Sequence, residues 1–98
     1  MDFNIMTDNA ICAELGGRLK AMRLRQNITQ KSLAEKTGLS ETTIKHAEQG
    51  RTKLFSLIAL LREFNALDEI DNLIKPTTIS PLQLAKLQGK QPKRARNR

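Results

Sequence analysis

The tightest constraint on the fold is a short break between two helical segments, at Thr37-Gly38-Leu39-Ser40. Thr29 can cap the helix before the break, because a threonine hydroxyl accepts a hydrogen bond from a first-turn N–H. Gly38 can adopt the left-handed conformation that ends this helix, and Ser40 can cap the next one, over residues 41–49. The break is too short for an antiparallel hairpin. It therefore predicts two short helices joined by a tight turn, at a steep angle to each other.

Three further segments have apolar side chains every three or four residues, which is the period of an amphipathic helix. They are residues 9–26, 54–64 and 67–74, and the last ends before Pro76, as the backbone preference ahead of proline predicts. In the second segment the predicted inner positions are Leu54, Leu57, Ile58, Leu61 and Phe64. The sequence thus predicts an all-α fold of five helices over residues 9–74. Residues 1–8 form an N-terminal arm, and residues 75–98 form a linker, a candidate short helix capped by Ser80 and a basic tail.

Each of the two helices that flank the break is predicted to have an inner and an outer face. Leu33 and Ala34 are predicted to point inward from the first, and Ile44 and Ala47 from the second. The outer face of the second helix then carries Glu41, Thr42, Lys45, His46 and Gln49. This face is mostly polar, so we expect it to meet water or a polar ligand.

Composition excludes several classes of protein. Three Phe and no Tyr or Trp, with an apolar content of mainly Leu, Ile and Ala, favour helices over strands. Cys12 has no partner for an internal disulfide, no apolar run reaches the roughly 20 residues of a membrane span, and the N-terminus lacks a secretory signal. We expect a cytoplasmic protein with no membrane association. One Cys, one His and no catalytic or ligand-spaced cluster predict no metal site, no cofactor and no enzymatic activity.

The positive charge is unevenly distributed along the chain. The net charge of +7 comes from the C-terminal segment, because residues 75–98 hold seven Lys and Arg and no acid, and residues 1–74 are neutral. Within the neutral part, residues 9–53 have nine bases against four acids, and residues 54–74 have one base against four acids. An anionic partner such as double-stranded DNA fits this distribution, with the tail adding sequence-independent affinity. Simple solubility is the alternative role of the tail.

The stretch Leu15 to about Ile74, with the string ITQKSLAEKTGLS inside it, resembles the Cro and phage-repressor family of helix-turn-helix regulators, often called Xre-like. The resemblance implies a five-helix, lambda-repressor-like domain that binds DNA. Two positions depart from the family pattern. Ala47 is small where relatives more often have Leu or Ile, and Glu41 is an acid where many have Gln, Arg or Ser. Glu41 can accept a hydrogen bond from cytosine, and it also complements the dipole of its own helix.

The resemblance also implies roles for individual residues. The positions that face the major groove and read bases are Ser40, Glu41, Thr42, Lys45 and His46. The positions expected to contact DNA phosphates are Gln30, Thr43, Gln49, Arg51 and Lys53. Arg23 and Glu48 correspond to a structural ion pair between the first and third helices.

The family usually dimerises through its last helices, so we expect a homodimer on a pseudo-palindromic operator. The predicted interface consists of Leu60, Leu67, Ile70, Leu73 and Ile74. Residues 67–89, with their SPLQLAKLQG run, resemble the HipB-like antitoxins that are encoded beside HipA-type kinase toxins. The sequence therefore predicts a repressor of the HipB-like antitoxin type that regulates its own toxin-antitoxin operon. The alternative is a phage-repressor or restriction-controller type of regulator that has no toxin partner.

Overall fold

The computed structural model describes residues 1–76, and all the regular secondary structure within them is helical. The predicted all-α, five-helix architecture is confirmed. The α-helices are α1 (Asp8–Arg25), α2 (Gln30–Thr37), α3 (Glu41–Glu48), α4 (Leu54–Glu63) and α5 (Asp68–Leu73). The candidate helix near Ser80 and the basic tail lie outside the described residues.

Local side-chain caps begin the first three α-helices. Thr7, Thr29 and Ser40 are extended, and each hydroxyl accepts a hydrogen bond from the backbone N–H three residues later. Gly38 ends α2 in the left-handed region, with φ of 79°, and its N–H donates to Ala34. These contacts fix where α2 begins and ends and where α3 begins.

A short 3-10 helix, Phe3–Ile5, precedes α1 and was not predicted. The Asp2 carboxylate accepts a hydrogen bond from the Asn4 N–H, and the Arg18 guanidinium lies over the Phe3 ring at 5.3 Å. The N-terminal arm therefore lies against α1, and it ends at Thr7, because α1 begins one residue earlier than predicted.

The core lies between α1, α2, α3 and α4. Leu33, Ile44 and Leu60 are its largest fully buried side chains, and Ala47 beside them is also fully buried. Met22, Leu39, Leu57, Leu67 and Ile70 are half-buried and pack against this cluster. The central helix α3 thus has its whole inner face in contact with other helices.

The inner face of α4 differs from the prediction. Leu60 is 1% exposed and belongs to the core, whereas Leu54, predicted to point inward, is 63% exposed. The buried stripe runs through Leu57, Leu60, Leu61 and Phe64. It has the same helical period as the predicted stripe, but it is rotated around the helix axis. Leu60 therefore cannot contribute to a dimer interface, and that part of the prediction is wrong. Leu15 of α1 is also exposed.

Two glycines allow α1 to pass close to the end of α3. A Cβ atom at Gly16 would lie 2.5 Å from the Gly50 nitrogen and 2.6 Å from the Glu48 carbonyl oxygen. Gly50 is left-handed, with φ of 87°, and a Cβ there would collide with the Cys12 carbonyl. The two backbones are therefore in direct contact at this crossing.

None of the helices within residues 1–76 combines the length and the apolar character needed to cross a membrane.

Candidate nucleic-acid interface

The third helix has one buried face and one exposed face. Ile44 and Ala47 are 0% exposed, and they fix the helix on the core. The five residues predicted to read bases are all exposed: Ser40, Glu41, Thr42, Lys45 and His46. The fold therefore presents these side chains together along one side of α3, where a large ligand can contact all of them.

Ser40 differs from the other four because its hydroxyl already has partners. It accepts a hydrogen bond from the Thr43 N–H at 3.0 Å, and the two hydroxyls lie 2.8 Å apart. Thr43 is half-buried. Ser40 thus sets the start of α3, and Glu41, Thr42, Lys45 and His46 are the side chains that remain free to meet a ligand.

The structure brings Arg23 and Glu48 together in a buried ion pair. Arg23 Nε donates to Glu48 Oε2 at 2.6 Å, Nη2 donates to Oε1 at 3.2 Å, and Nη1 donates to the Ile28 carbonyl at 2.9 Å. Both side chains are more than nine-tenths buried. This two-point contact joins α1, the loop before α2 and the end of α3, so it holds the exposed helix in place.

Gln30, the first residue of α2, belongs to the same network. Its Nε2 donates to Glu48 Oε1 at 2.9 Å, so one of its two amide hydrogens is engaged inside the protein. The other hydrogen is the one that could reach a phosphate. The predicted phosphate-contacting position and the ion pair are therefore physically linked, which the sequence pattern did not indicate.

Of the other predicted phosphate-contacting residues, Thr43 lies in the first turn of α3, and the remaining three lie at the end of α3 and in the loop before α4. Gln49, Arg51 and Lys53 are exposed, and Arg51 donates a hydrogen bond to the Gln49 side chain. Between α3 and the start of α4 is a polar niche of about 160 Å³. We call it the α4 niche, and it is lined by Thr43, His46, Arg51, Thr52, Lys53 and Ser56.

Two residues of the α4 niche, Thr52 and Ser56, were missed by the sequence analysis. Ser56 is buried, and it occupies the third position of a helix whose other residues are apolar up to Leu61. A serine among apolar residues in a helical pattern is the signal that could have identified it, because buried hydroxyls normally need a partner.

Apart from Leu60, which lies in the core, the residues of the predicted dimer interface separate into two groups. Leu67 and Ile70 are half-buried against the core, and Leu73 and Ile74 are exposed, Ile74 by 78%. Leu73 also lines an apolar groove of about 390 Å³ between α1, α4 and α5. This end of the domain therefore has apolar surface that is exposed to solvent in the single chain.

Within residues 1–76, no three His, Cys, Asp or Glu side chains are grouped so that they could hold a metal ion.

The comparisons with known proteins agree with this geometry. The sequence profile of the family described as "helix-turn-helix domain" matches residues 14–69, which is more than half of the chain and includes α2, α3 and most of α1. No curated protein matches the chain. In helix-turn-helix proteins the second helix of the motif enters the major groove of DNA, and here that helix is α3. The chain belongs to the helix-turn-helix domain family, and it is a DNA-binding protein.

Proposed function

We propose that the chain is a sequence-specific transcriptional repressor that binds a pseudo-palindromic operator as a homodimer. The observation that carries the proposal is the exposed face of α3, where Glu41, Thr42, Lys45 and His46 stand free on a helix whose opposite face is fully buried. Side chains of this kind can make hydrogen bonds to base edges in the major groove. A rigidly held helix keeps them in the register that base recognition requires.

Footprinting on the DNA upstream of its own gene tests this function. We expect protection of two half-sites whose centres lie about one helical turn apart, roughly 34–36 Å, because a symmetric dimer places one α3 in each. A matched experiment uses the same DNA with one half-site scrambled, which should lose most of the specific affinity. If the upstream DNA is not protected and no sequence is enriched from a random pool, the proposed function is contradicted.

The reading role of α3 predicts a loss of specificity when two of its side chains are removed. Replacing Lys45 and His46 together by alanine should lower operator affinity at least about tenfold, because each good base contact contributes about 1–3 kcal/mol of discrimination. Affinity for unrelated DNA should fall much less. Arg62→Ala, an exposed change on α4, is the charge-matched control and should leave the ratio of specific to non-specific binding unchanged. Equal losses on both DNAs would assign these two residues to the phosphates.

Homodimer formation is supported by the apolar surface at the end of α5. Changing Leu73 and Ile74 together to lysine should convert a dimer at micromolar concentration into a monomer, because the two lysines of each protomer would bring four like charges into a buried symmetric contact. Sedimentation equilibrium measures the mass. Leu24→Lys, at an exposed leucine of α1, is the control and should remain dimeric. A monomeric wild-type protein, both alone and with operator, would overturn the dimer.

The leucine-rich stretch at residues 67–89 supports a more specific version of the function, in which the repressor is also a HipB-like antitoxin that holds a HipA-type kinase toxin. Only its first part, α5 and the residues up to Pro76, lies within the described chain. A gene for such a kinase beside this one, together with copurification of the two proteins, tests this version. If no kinase gene lies beside the gene for this chain, a phage-repressor or restriction-controller type of regulator that has no toxin partner is favoured.

A further inference from the structure

We propose that residues 79–89 of this chain pack, as a short helix, into the apolar groove between α1, α4 and α5. We call this groove the α5 groove. The inference goes beyond the proposed function and does not depend on DNA binding, and Ile74 of the proposed dimer contact does not line the groove. Four observations support it: the exposed apolar surface, the point where the chain leaves α5, and the sequence pattern and charge of the segment that follows.

The α5 groove is apolar surface that the other described residues leave uncovered. Six of its eight lining residues are Leu or Met, and its volume is about 390 Å³. Two of them, Leu15 and Leu73, are 42% and 57% exposed. Removing apolar surface from water stabilises a fold, so an apolar segment that packs into this groove gains free energy.

The chain itself brings an occupant to the groove. Leu73, the last residue of α5, lines the groove, and Ile79 is six residues further along the chain. Six residues of extended chain span at most about 22 Å, so residues 79–89 begin close to the groove. A segment tied this closely has an effective concentration on the order of millimolar. A second copy of the chain, at micromolar concentration, therefore competes poorly for the same surface.

Residues 79–89 have the sequence pattern of a short capped helix. Ser80 is followed three residues later by Gln83, which is the pattern of a capping box. Leu84 and Leu87 are three residues apart and so share one face of the predicted helix. A helix of this length is not stable alone in water, where roughly 12–15 residues are needed. It therefore requires an apolar surface to pack on, and the α5 groove provides one.

The charges of the groove and of the segment are complementary. α5, which forms one wall of the groove, carries Asp68, Glu69 and Asp71 and no base. Residues 75–98 carry seven Lys and Arg and no acid. Opposite charges attract over several ångströms at a protein surface, so the acidic wall favours a basic segment as the occupant.

A single tryptophan tests the position of the segment, because the chain has no Trp or Tyr of its own. In the folded protein Leu87→Trp should emit at a shorter wavelength than Lys86→Trp, because position 86 lies on the other face of the predicted helix, towards water. Adding Leu15→Lys, which places a charge in the groove, should move the emission of Leu87→Trp to a longer wavelength. Leu24→Lys is the matched control, because Leu24 is an exposed leucine of the same helix that does not line the groove. It should leave the emission unchanged.

The emission of Leu87→Trp should not depend on protein concentration, because the occupant belongs to the same chain. Far-UV circular dichroism verifies that each variant is folded. If the two tryptophan variants emit at the same wavelength, or if Leu15→Lys leaves the emission of Leu87→Trp unchanged, the inference is overturned. A short-wavelength emission that is lost on dilution would assign the groove to a second copy and overturn packing within one chain.

Discussion

Replacing either Arg23 or Glu48 alone by alanine is expected to lower the free energy of unfolding by about 3–5 kcal/mol. Each change leaves the other charge buried with no opposite charge beside it, and both side chains are more than nine-tenths buried in the intact protein. Loss of Arg23 also leaves the Ile28 carbonyl without its donor, and loss of Glu48 releases Gln30. Chemical denaturation followed by circular dichroism measures the change.

An exposed ion pair on the same helix provides the control. Glu14 and Arg18 are one turn apart on α1, their contact is 2.9 Å, and both side chains are substantially exposed. Glu14→Ala should therefore cost at most about 0.5 kcal/mol. The double variant Arg23→Met with Glu48→Leu should recover much of the loss, because an apolar pair leaves no buried charge. Single variants that unfold at the wild-type midpoint would show that the pair contributes little.

Gly16→Ala should destabilise the fold by about 1–3 kcal/mol, and Gly17→Ala should stabilise it by up to about 1 kcal/mol. The two glycines are neighbours in the interior of α1, so the gain in helix propensity is the same for both. They differ in what a methyl group would meet. At Gly16 it would press on backbone atoms of Glu48 and Gly50, which cannot rotate away, and at Gly17 nothing lies within 4 Å.

Urea unfolding of both variants gives the comparison, since any general effect of alanine in α1 cancels between them. The sign should differ between the two substitutions. If Gly16→Ala were as stable as Gly17→Ala, α1 and the end of α3 would be able to move apart at little cost. The close contact of the two backbones would then be unimportant for the position of α3.

The features that could be predicted from the sequence are those that depend on contacts between residues about one helical turn apart. Thr29, Gly38 and Ser40 start or end helices through contacts three or four residues away, so their local pattern is sufficient. The inner face of α3 was predicted for a similar reason, because Ile44 and Ala47 are the apolar positions in an otherwise polar helix.

The features that could not be predicted depend on packing between distant segments. α4 is apolar on most of its sides, so helical periodicity alone does not say whether Leu54 or Leu60 faces the core, and contact with α2 decides it. The 3-10 helix at Phe3–Ile5 contacts α1 through Phe3 and Arg18, which are far apart in the sequence. The pairing of Arg23 with Glu48 came from the family resemblance, because no spacing rule brings α1 to the end of α3.

The exposed face and the core-facing face of α3 consist of different residues, so changes in DNA-sequence preference are separate from changes in the core. Glu41, Thr42, Lys45 and His46 make no side-chain hydrogen bond within the described chain and take no part in the core, so substitutions there leave the fold intact. Ser40 is limited to residues that cap a helix, and Ile44 and Ala47 are limited by volume. Under the proposed reading role of α3, new operators are acquired by exchange of these four side chains while the protein keeps its stability. Regulators that share this scaffold can diverge in target faster than in structure.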